Sequence, residues 1–388
     1  MNKYNEDYLL DKTLRNIPDS IRFAILLPTV RWSNHVRSLL GSLVGVANEE
    51  VAILIGDNSE NIEKKNYLKK INAINPYIFY SSHEKNIGAI NNFLFLHDWC
   101  AQVEFSAIVA DDDWMTPTYH IDAFDYLKLN CNASCCSIGT TFVDIGDGNT
   151  VNVNQSSMIG HTAIQRMRNW NAVTARVTMH NASRRSYLEP AIEYMRRSPL
   201  KGITLFEDLW ELSRLANGSF YNLKGQGIYL HYPATRAIGG GETERFYNLI
   251  CKDDGLAFHF VYFASLSTAV QCALFLLGKF SPLNKDENKQ ACAQLIFNHI
   301  FTNQFLPNVT GSSSQDVVGE IFKNHATAMN GYLKYCINIK NSEVLFDIEL
   351  LNWFISIIRV FEEKASNKNM LLSDRFTSFV NEIFSSSD

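Results

Sequence analysis

The sequence predicts an α/β protein: a mostly parallel sheet with helices on both faces, followed by an all-helical C-terminal domain. Three observations predict it. Short apolar runs alternate with helix-period stretches from Ile21 to Trp99, the rhythm of a parallel sheet with crossover helices. A fourth apolar run, Ala107 to Ala110, ends in three consecutive carboxylates, Asp111, Asp112 and Asp113, with a helix-start signal at Thr116-Pro117. Past Tyr247 the pattern becomes helical only.

The elements follow in order. Residues 1–20 are polar and form an arm, and residues 21–246 form the α/β domain. Ile21 to Leu27 is a strand stopped by Pro28, and Ser33 to Val46 carries Val36, Leu39, Leu40 and Leu43 at helical spacing. Val51 to Ile55 is the second strand, ended by Gly56-Asp57-Asn58-Ser59, with a lysine-rich helix after it to about Asn75. Tyr77 to Tyr80 is the third, and a helix runs from Gly88 through Trp99. A strand over Ala133 to Val143 turns at Asp147-Gly148 into Thr150 to Val153. A helix spans Ala163 to Trp170, a strand Ala172 to His180, an amphipathic helix Leu205 to Leu215, and a closing strand lies within Gly225 to Arg236.

Residues 247–388 form the helical domain, with helices over Leu256 to Leu277, Glu287 to Phe305, Gln315 to Ile339 and Glu343 to Ala365 and a linker at Gly311 to Ser314. Along the last of these, Leu345, Ile348, Leu351, Ile355 and Ile358 form the apolar stripe. Leu256 to Leu277 approaches bilayer-spanning length, but His259, Ser265, Ser267, Thr268 and Gln271 dilute it, so it reads as a buried helix. Dimerisation, acceptor binding and docking on a membrane face all fit this domain.

Composition narrows the class. Of 388 residues 46% are hydrophobic and 12% aromatic, which describes a folded globular chain, and a net charge of −5 gives no global field for nucleic acid. Eight cysteines lack CxxC spacing, and the N-terminus lacks an apolar signal region; both point to reduced thiols in a cytoplasmic protein. Cys131, Cys135 and Cys136 read as core rather than zinc ligands, because adjacent strand residues face opposite ways.

The chemistry centres on the acids. Open α/β sheets bind ligands beyond the carboxyl ends of their strands, where Thr29, Arg31, Asp57, Asn86, Gly88 and the Asp111–Asp113 triplet all fall. Three crowded carboxylates repel one another, which favours a hard cation such as Mg²⁺ or Mn²⁺ shared with substrate phosphates; the bland reading is a solvated loop capping the next helix. Asp57 suits a nucleobase or ribose donor, or else caps its helix. Arg184, Arg185, Arg196, Arg197 and Lys201 form a basic patch, either a solvated face or a seat for an anionic acceptor. The absence of GxGxxG and GxxxxGK[ST] from the first half argues against a dinucleotide fold or a P-loop.

Pro28-Thr29 after strand one, Asp57-Asn58-Ser59 after strand two, Asn86-Ile87-Gly88 opening helix three and the triplet followed by Pro117 together resemble the inverting family 2 glycosyltransferases of GT-A fold, over about residues 21–235. The resemblance implies a nucleotide-sugar donor, commonly a UDP-sugar, with Pro28, Thr29, Arg31, Asp57, Asn86, Gly88, Asp111 and Asp112 around it. It implies a divalent cation on the acids. Spacing makes Asp111 and Asp113 the DxD pair, whereas counting back from Pro117 selects Asp112. Val30-Arg31-Trp32 departs from the family's usual Tyr-Asn-Arg, which bears on the base contacts.

Glu207-Asp208 matches the family's ED motif, making Asp208 the base that removes the acceptor's proton, a role that needs a carboxylate within hydrogen-bond reach. Without the resemblance, both are N-terminal helix charges favoured by the dipole. Trp210 either stacks on a sugar or fills core. His231 is a candidate for a metal or diphosphate contact, Gly239 to Gly241 for a hinge, and Arg236 for a diphosphate contact. The implied reaction moves a sugar to a hydroxyl of a glycan or lipid-linked acceptor, as in polysaccharide biosynthesis. Two other classes stay open: a sugar-nucleotide nucleotidyltransferase, which needs a glycine-rich basic loop where PTVRWSNH stands, and a non-catalytic glycan-binding scaffold.

Overall fold

The computed structural model describes residues 16–116, 118–144, 150–153, 157–170, 180–200, 206–231, 254–283, 289–305, 345–364 and 371–385. Contacts divide the chain into two units. One comprises Met1–Ile159, Val177–Glu189 and Gly218–Gly239; the other comprises Gly160–Arg176, Pro190–Asn217 and Gly240–Asp388. The second unit is not one continuous C-terminal segment, since it takes in Gly160–Arg176 and Pro190–Asn217.

The first unit is built on strands β1 (Phe23–Thr29), β2 (Val51–Asp57), β3 (Ile78–Ser82), β4 (Phe105–Ile108), β5 (Asp113–Met115), β6 (Ala133–Asp144), β7 (Thr150–Val153), β8 (Ala182–Arg184) and β9 (Ser219–His231). Their order is β3-β2-β1-β4-β8-β6-β9-β5, with β7 beside β6. The stretch β3-β2-β1-β4 is parallel throughout, as the alternation requires. Beyond β4 the sheet is mixed: β8 runs antiparallel to β4 and β6, β9 parallel to β6, and β5 antiparallel to β9.

Burial explains why β1, β2 and β4 are legible as strands. Every residue of β2 and β4 is buried, and β1 is buried except at Pro28, the continuous pattern of strands covered on both faces. The helices between them are α1 (Asn34–Val44), α2 (Ile62–Ile74), α3 (Ala89–Trp99) and α4 (Thr118–Leu129). Helix α1 buries Val36, Leu39, Leu40 and Leu43, the stripe read from sequence, and is capped by Ser33 Oγ, which accepts from Val36 N. Cys135 and Cys136 are fully buried, as core residues, whereas Cys131, expected in the core with them, is exposed, and no disulfide joins the described cysteines. The turn expected at Asp147-Gly148 and the strand expected from Ala172 lie outside the described residues, although β6 and β7 pair antiparallel as that hairpin requires.

The second unit holds α5 (Ala163–Arg168), α6 (Glu189–Arg197, from Pro190), α7 (Phe206–Asn217), α8 (Asp254–Leu277), α9 (Lys289–Ile300), α10 (Ile348–Lys364) and α11 (Leu372–Phe384). Residues Leu266 to Leu276 of α8 are almost wholly buried, polar Ser267, Thr268 and Gln271 included, so this part of the long apolar stretch is interior. No helix among the described residues is long and apolar enough to cross a membrane. In α10, Leu351, Ile355 and Ile358 are buried as expected, whereas Ile348 at its start and Leu345 before it are exposed. The helix expected over Gln315 to Ile339 and the linker at Gly311 lie outside the described residues.

Candidate active site

The carboxyl edge of the parallel strands aligns the first site residues. Thr29 pairs with Asp57 across β1/β2, and Asp57 with Ser82 across β2/β3. Strand β4 ends level with Leu26, so the acid triplet lies just past the edge.

Asp111 is buried and its carboxylate organises the loop after β1. Oδ2 accepts from Thr29 Oγ1 at 2.8 Å, Val30 N at 2.7 Å and Arg31 N at 2.8 Å, and Oδ1 accepts from Arg31 Nη1 at 2.7 Å. Its backbone carbonyl accepts from His35 Nε2 at 3.0 Å, which leaves His35 Nδ1 to accept from Ser33 Oγ at 2.8 Å. Two backbone N–H groups converging on one carboxylate oxygen fix the loop as charge-assisted bonds do.

Asp113 is turned inward. Its Oδ2 is 3.3 Å from Nε2 of buried His180, whose Nδ1 donates to Ile108 O at 2.9 Å. Its backbone opens β5 opposite His231, which places the backbone of that histidine at the triplet; the His231 side chain lies outside the description. Asp112 is the acid left towards solvent, with 24% side-chain exposure, and its Oδ2 is 3.0 Å from Arg31 Nη1. Its pKa is raised, by burial first and then by Asp113 and Asp111, against the opposing pull of Arg31.

Asp57 is fully buried against Lys64, also fully buried: Nζ donates to Asp57 Oδ1 at 2.8 Å and to Thr29 Oγ1 at 2.9 Å. Burial lowers the Lys64 pKa more than Asp57 raises it. Asp57 Oδ1 also accepts from Ser59 N, so the turn after β2 is an Asx turn. A continuous chain of charges and a hydroxyl therefore runs Asp57–Lys64–Thr29–Asp111–Arg31–Asp112. Lys64 was not among the residues singled out from sequence. The signal was its phase: Lys64, Leu68 and Ile71 form the buried stripe of α2.

Asn58 fixes the third loop. Its Nδ2 donates to Gly88 O at 2.9 Å and its Oδ1 accepts from Ile87 N at 3.3 Å. Gly88 has φ 89°, a conformation that disfavours any side chain, and Asn86 Oδ1 accepts from its N–H at 2.9 Å. Asn86 itself is exposed, and Pro28 half-buried beside Gly56.

The second acidic centre belongs to the other unit. Glu207 and Asp208 occupy the first turn of α7; Glu207 is half-buried and Asp208 is 2% exposed. The Cys272 thiol on α8 is pushed well up, by burial first and then by the charge on Asp208. Trp210 is buried, which assigns it to core. One helical turn on, Glu211 Oε2 accepts from Arg214 Nη2 at 2.6 Å in a fully buried pair that sequence reading missed.

The residues of the basic run divide between the two units, Arg184 and Arg185 in the first and Arg196 and Arg197 in the second. Arg184 donates to the carbonyls of Ala133, Leu127 and Asn130, and Arg185 to the carbonyl of His97 while pairing with Glu189. These guanidiniums tie down backbone carbonyls, at Leu127 and His97 near helix C-termini, as the dipole favours. Arg197 pairs with Glu193 and Glu382. Arg184 and Arg185 are thus committed to carbonyls within the chain, whereas Arg196 and Arg197 stay exposed beside Glu193. Lys201, Arg236 and the glycines at 239–241 lie outside the described residues.

No cluster of three or more His, Cys, Asp or Glu side chains able to hold a metal occurs among the described residues. No family model and no curated protein matches the chain. Solved structures do. The chain is similar to Staphylococcus aureus TarS 1-349, with TM-score 0.51, 12% identity and coverage of 93% of this chain and 91% of that one. It is similar to a longer TarS structure at TM-score 0.52 and 14% identity over 94% of this chain and 54% of that one. TarS 1-349 in complex with UDP-GlcNAc gives TM-score 0.50 and 14% identity over 93% and 91%. At such identities the likeness establishes the fold, and that fold is GT-A followed by C-terminal helices.

Proposed function

We propose that the chain is an inverting, cation-dependent glycosyltransferase of the family 2 type that moves a sugar from a UDP-sugar to a hydroxyl of a glycan or lipid-linked acceptor. The observation that carries the proposal is the division of labour in the triplet: Asp111 holds the β1 loop, Asp113 turns to His180, and Asp112 faces out with a raised pKa. This favours Asp112 as the cation ligand. A Mg²⁺ or Mn²⁺ ion commonly sits on one or two carboxylates and completes its shell with water and phosphate oxygens, so an open acid fits better than a closed cage. When bound, the cation would stabilise charge developing on the leaving diphosphate.

Each chain residue has a task in this reading. Thr29, the Asn58-clamped Gly88 loop and Arg31 shape the donor edge, and Asp57, sealed by Lys64, supports that edge from behind. Asp208 takes the proton as the acceptor oxygen bonds to the anomeric carbon and the bond from that carbon to the diphosphate breaks, which inverts the centre. That TarS was crystallised with UDP-GlcNAc supports UDP as the nucleotide. The nucleotidyltransferase reading fares worse, because the Val30 and Arg31 N–H groups that a phosphate loop would offer are given to Asp111.

The test is UDP release from a panel of UDP-sugars with Mn²⁺, with Asp208→Asn beside wild type. Turnover should fall about 10²–10⁴-fold in the variant, the range for loss of a general base, with donor affinity kept. Turnover of Asp208→Asn near wild type would remove Asp208 from the mechanism, and no consumption of any nucleotide sugar would remove the enzyme.

A further inference from the structure

Arg31 holds two acids with one nitrogen. Nη1 lies 2.7 Å from Asp111 Oδ1 and 3.0 Å from Asp112 Oδ2. The two contacts differ in what depends on them. Asp111 keeps three other donors, Thr29 Oγ1, Val30 N and Arg31 N, none of which needs the guanidinium. Those three donors all serve Oδ2 and hold the loop backbone without the guanidinium, which bridges Asp111 Oδ1 and Asp112 Oδ2. These two side chains are also the accessible ones, Arg31 at 27% and Asp112 at 24% exposure, against 6% for Asp111 and 5% for Asp113. The one acid of the triplet open to a divalent cation already holds a cation belonging to the chain.

We propose that Arg31 couples cation binding to donor binding: the ion must take Asp112 from the guanidinium, and the released guanidinium passes to the donor's diphosphate. The inference rests on the donor-binding reading above and adds a thermodynamic consequence to it. Alone, the cation displaces Arg31 into water; with a diphosphate present, the same guanidinium gains a charge-assisted, forked contact with phosphate oxygens. Cation and nucleoside diphosphate then raise each other's affinity by an equal factor beyond their attraction in solution, because linkage is reciprocal. Without Arg31 the cation meets no competitor and that part of the coupling disappears.

The experiment is Mn²⁺ titration followed by electron paramagnetic resonance, with and without UDP, on wild type, Arg31→Met and Arg31→Lys, corrected for Mn–UDP formed in solution. Melting curves establish that Arg31→Met is folded, which its three remaining donors to Asp111 favour; Arg31→Lys, keeping a charge without the fork, should fall between the other two. Arg31→Met should bind Mn²⁺ alone about 5-fold or more tighter than wild type and lose at least that factor of UDP coupling, the lower end of ordinary coupling factors. Unchanged or weaker Mn²⁺ binding in Arg31→Met overturns the inference. So does wild type that binds UDP without binding Mn²⁺, a result that leaves the donor reading standing, whereas wild type that binds neither overturns both.

Discussion

Replacing Lys64 by methionine tests the charge chain behind the proposed donor edge. The ammonium and the Asp57 carboxylate are both fully buried and 2.8 Å apart, and Thr29 Oγ1 is the ammonium's other partner at 2.9 Å. Methionine keeps the length of the stem and removes the charge, leaving a buried Asp57 carboxylate that still accepts from Ser59 N but has lost its ammonium. Breaking a buried pair from one side costs about 3–5 kcal/mol, because the surviving charge is uncompensated. In a unit of this size about 1 kcal/mol moves a melting temperature by about 2–4 °C, so Lys64→Met should melt the first unit about 6–20 °C lower in differential scanning calorimetry. The companion variant Lys64→Met/Asp57→Leu removes both charges and should recover most of that loss, since buried pairs exchange for apolar residues at little net change. A shift under about 2 °C in the single variant, or a double variant lower than the single, would refute the assignment of Lys64 as the partner that makes a buried Asp57 tolerable.

Three further outcomes follow from particular contacts. Gly88→Ala places a Cβ on a residue with φ 89° and ψ 160°, so it should cost about 1–3 kcal/mol and weaken UDP affinity in calorimetric titration through distortion of the Asn58-clamped loop. His120, buried with its pKa pushed down to about 3 by burial and by His180, binds fewer protons folded than unfolded between about pH 3 and 6.5. Stability should therefore rise with pH across that window by up to about 1.4 kcal/mol per unit, and urea midpoints of His120→Leu should lose that slope relative to wild type. Arg214→Met leaves Glu211 buried without its partner and should lower the melting temperature of the helical unit, while Arg214→Met/Glu211→Leu recovers most of the loss.

What was legible in the sequence follows from what each residue's neighbours along the chain disclose. Strands β1, β2 and β4 announce themselves because they are buried on both faces, leaving apolar runs with polar residues only at their ends, whereas edge strand β3 buries only Ile78 and Phe79. Strands β5 and β8 have three residues each and take their strand character from partners distant in sequence, Asp113–Met115 from β9 and Ala182–Arg184 from β4 and β6, which no local pattern records. The triplet was visible as chemistry but not as roles, since Asp111, Asp112 and Asp113 differ only in what surrounds them after folding. Burial of Lys64 was readable in principle from its helical phase. The run of arginines at 184–185 looked like surface because its acceptors, the carbonyls of Leu127, Asn130, Ala133 and His97, are backbone atoms that every sequence contains.

The most direct test of the donor site is calorimetric titration of a UDP-sugar, with Mn²⁺ present, into wild type and Asp112→Asn. The account predicts saturable one-site binding to wild type and loss of the Mn²⁺-dependent part in the variant, with its melting temperature unchanged. Equal binding to both proteins, or to neither, would contradict it.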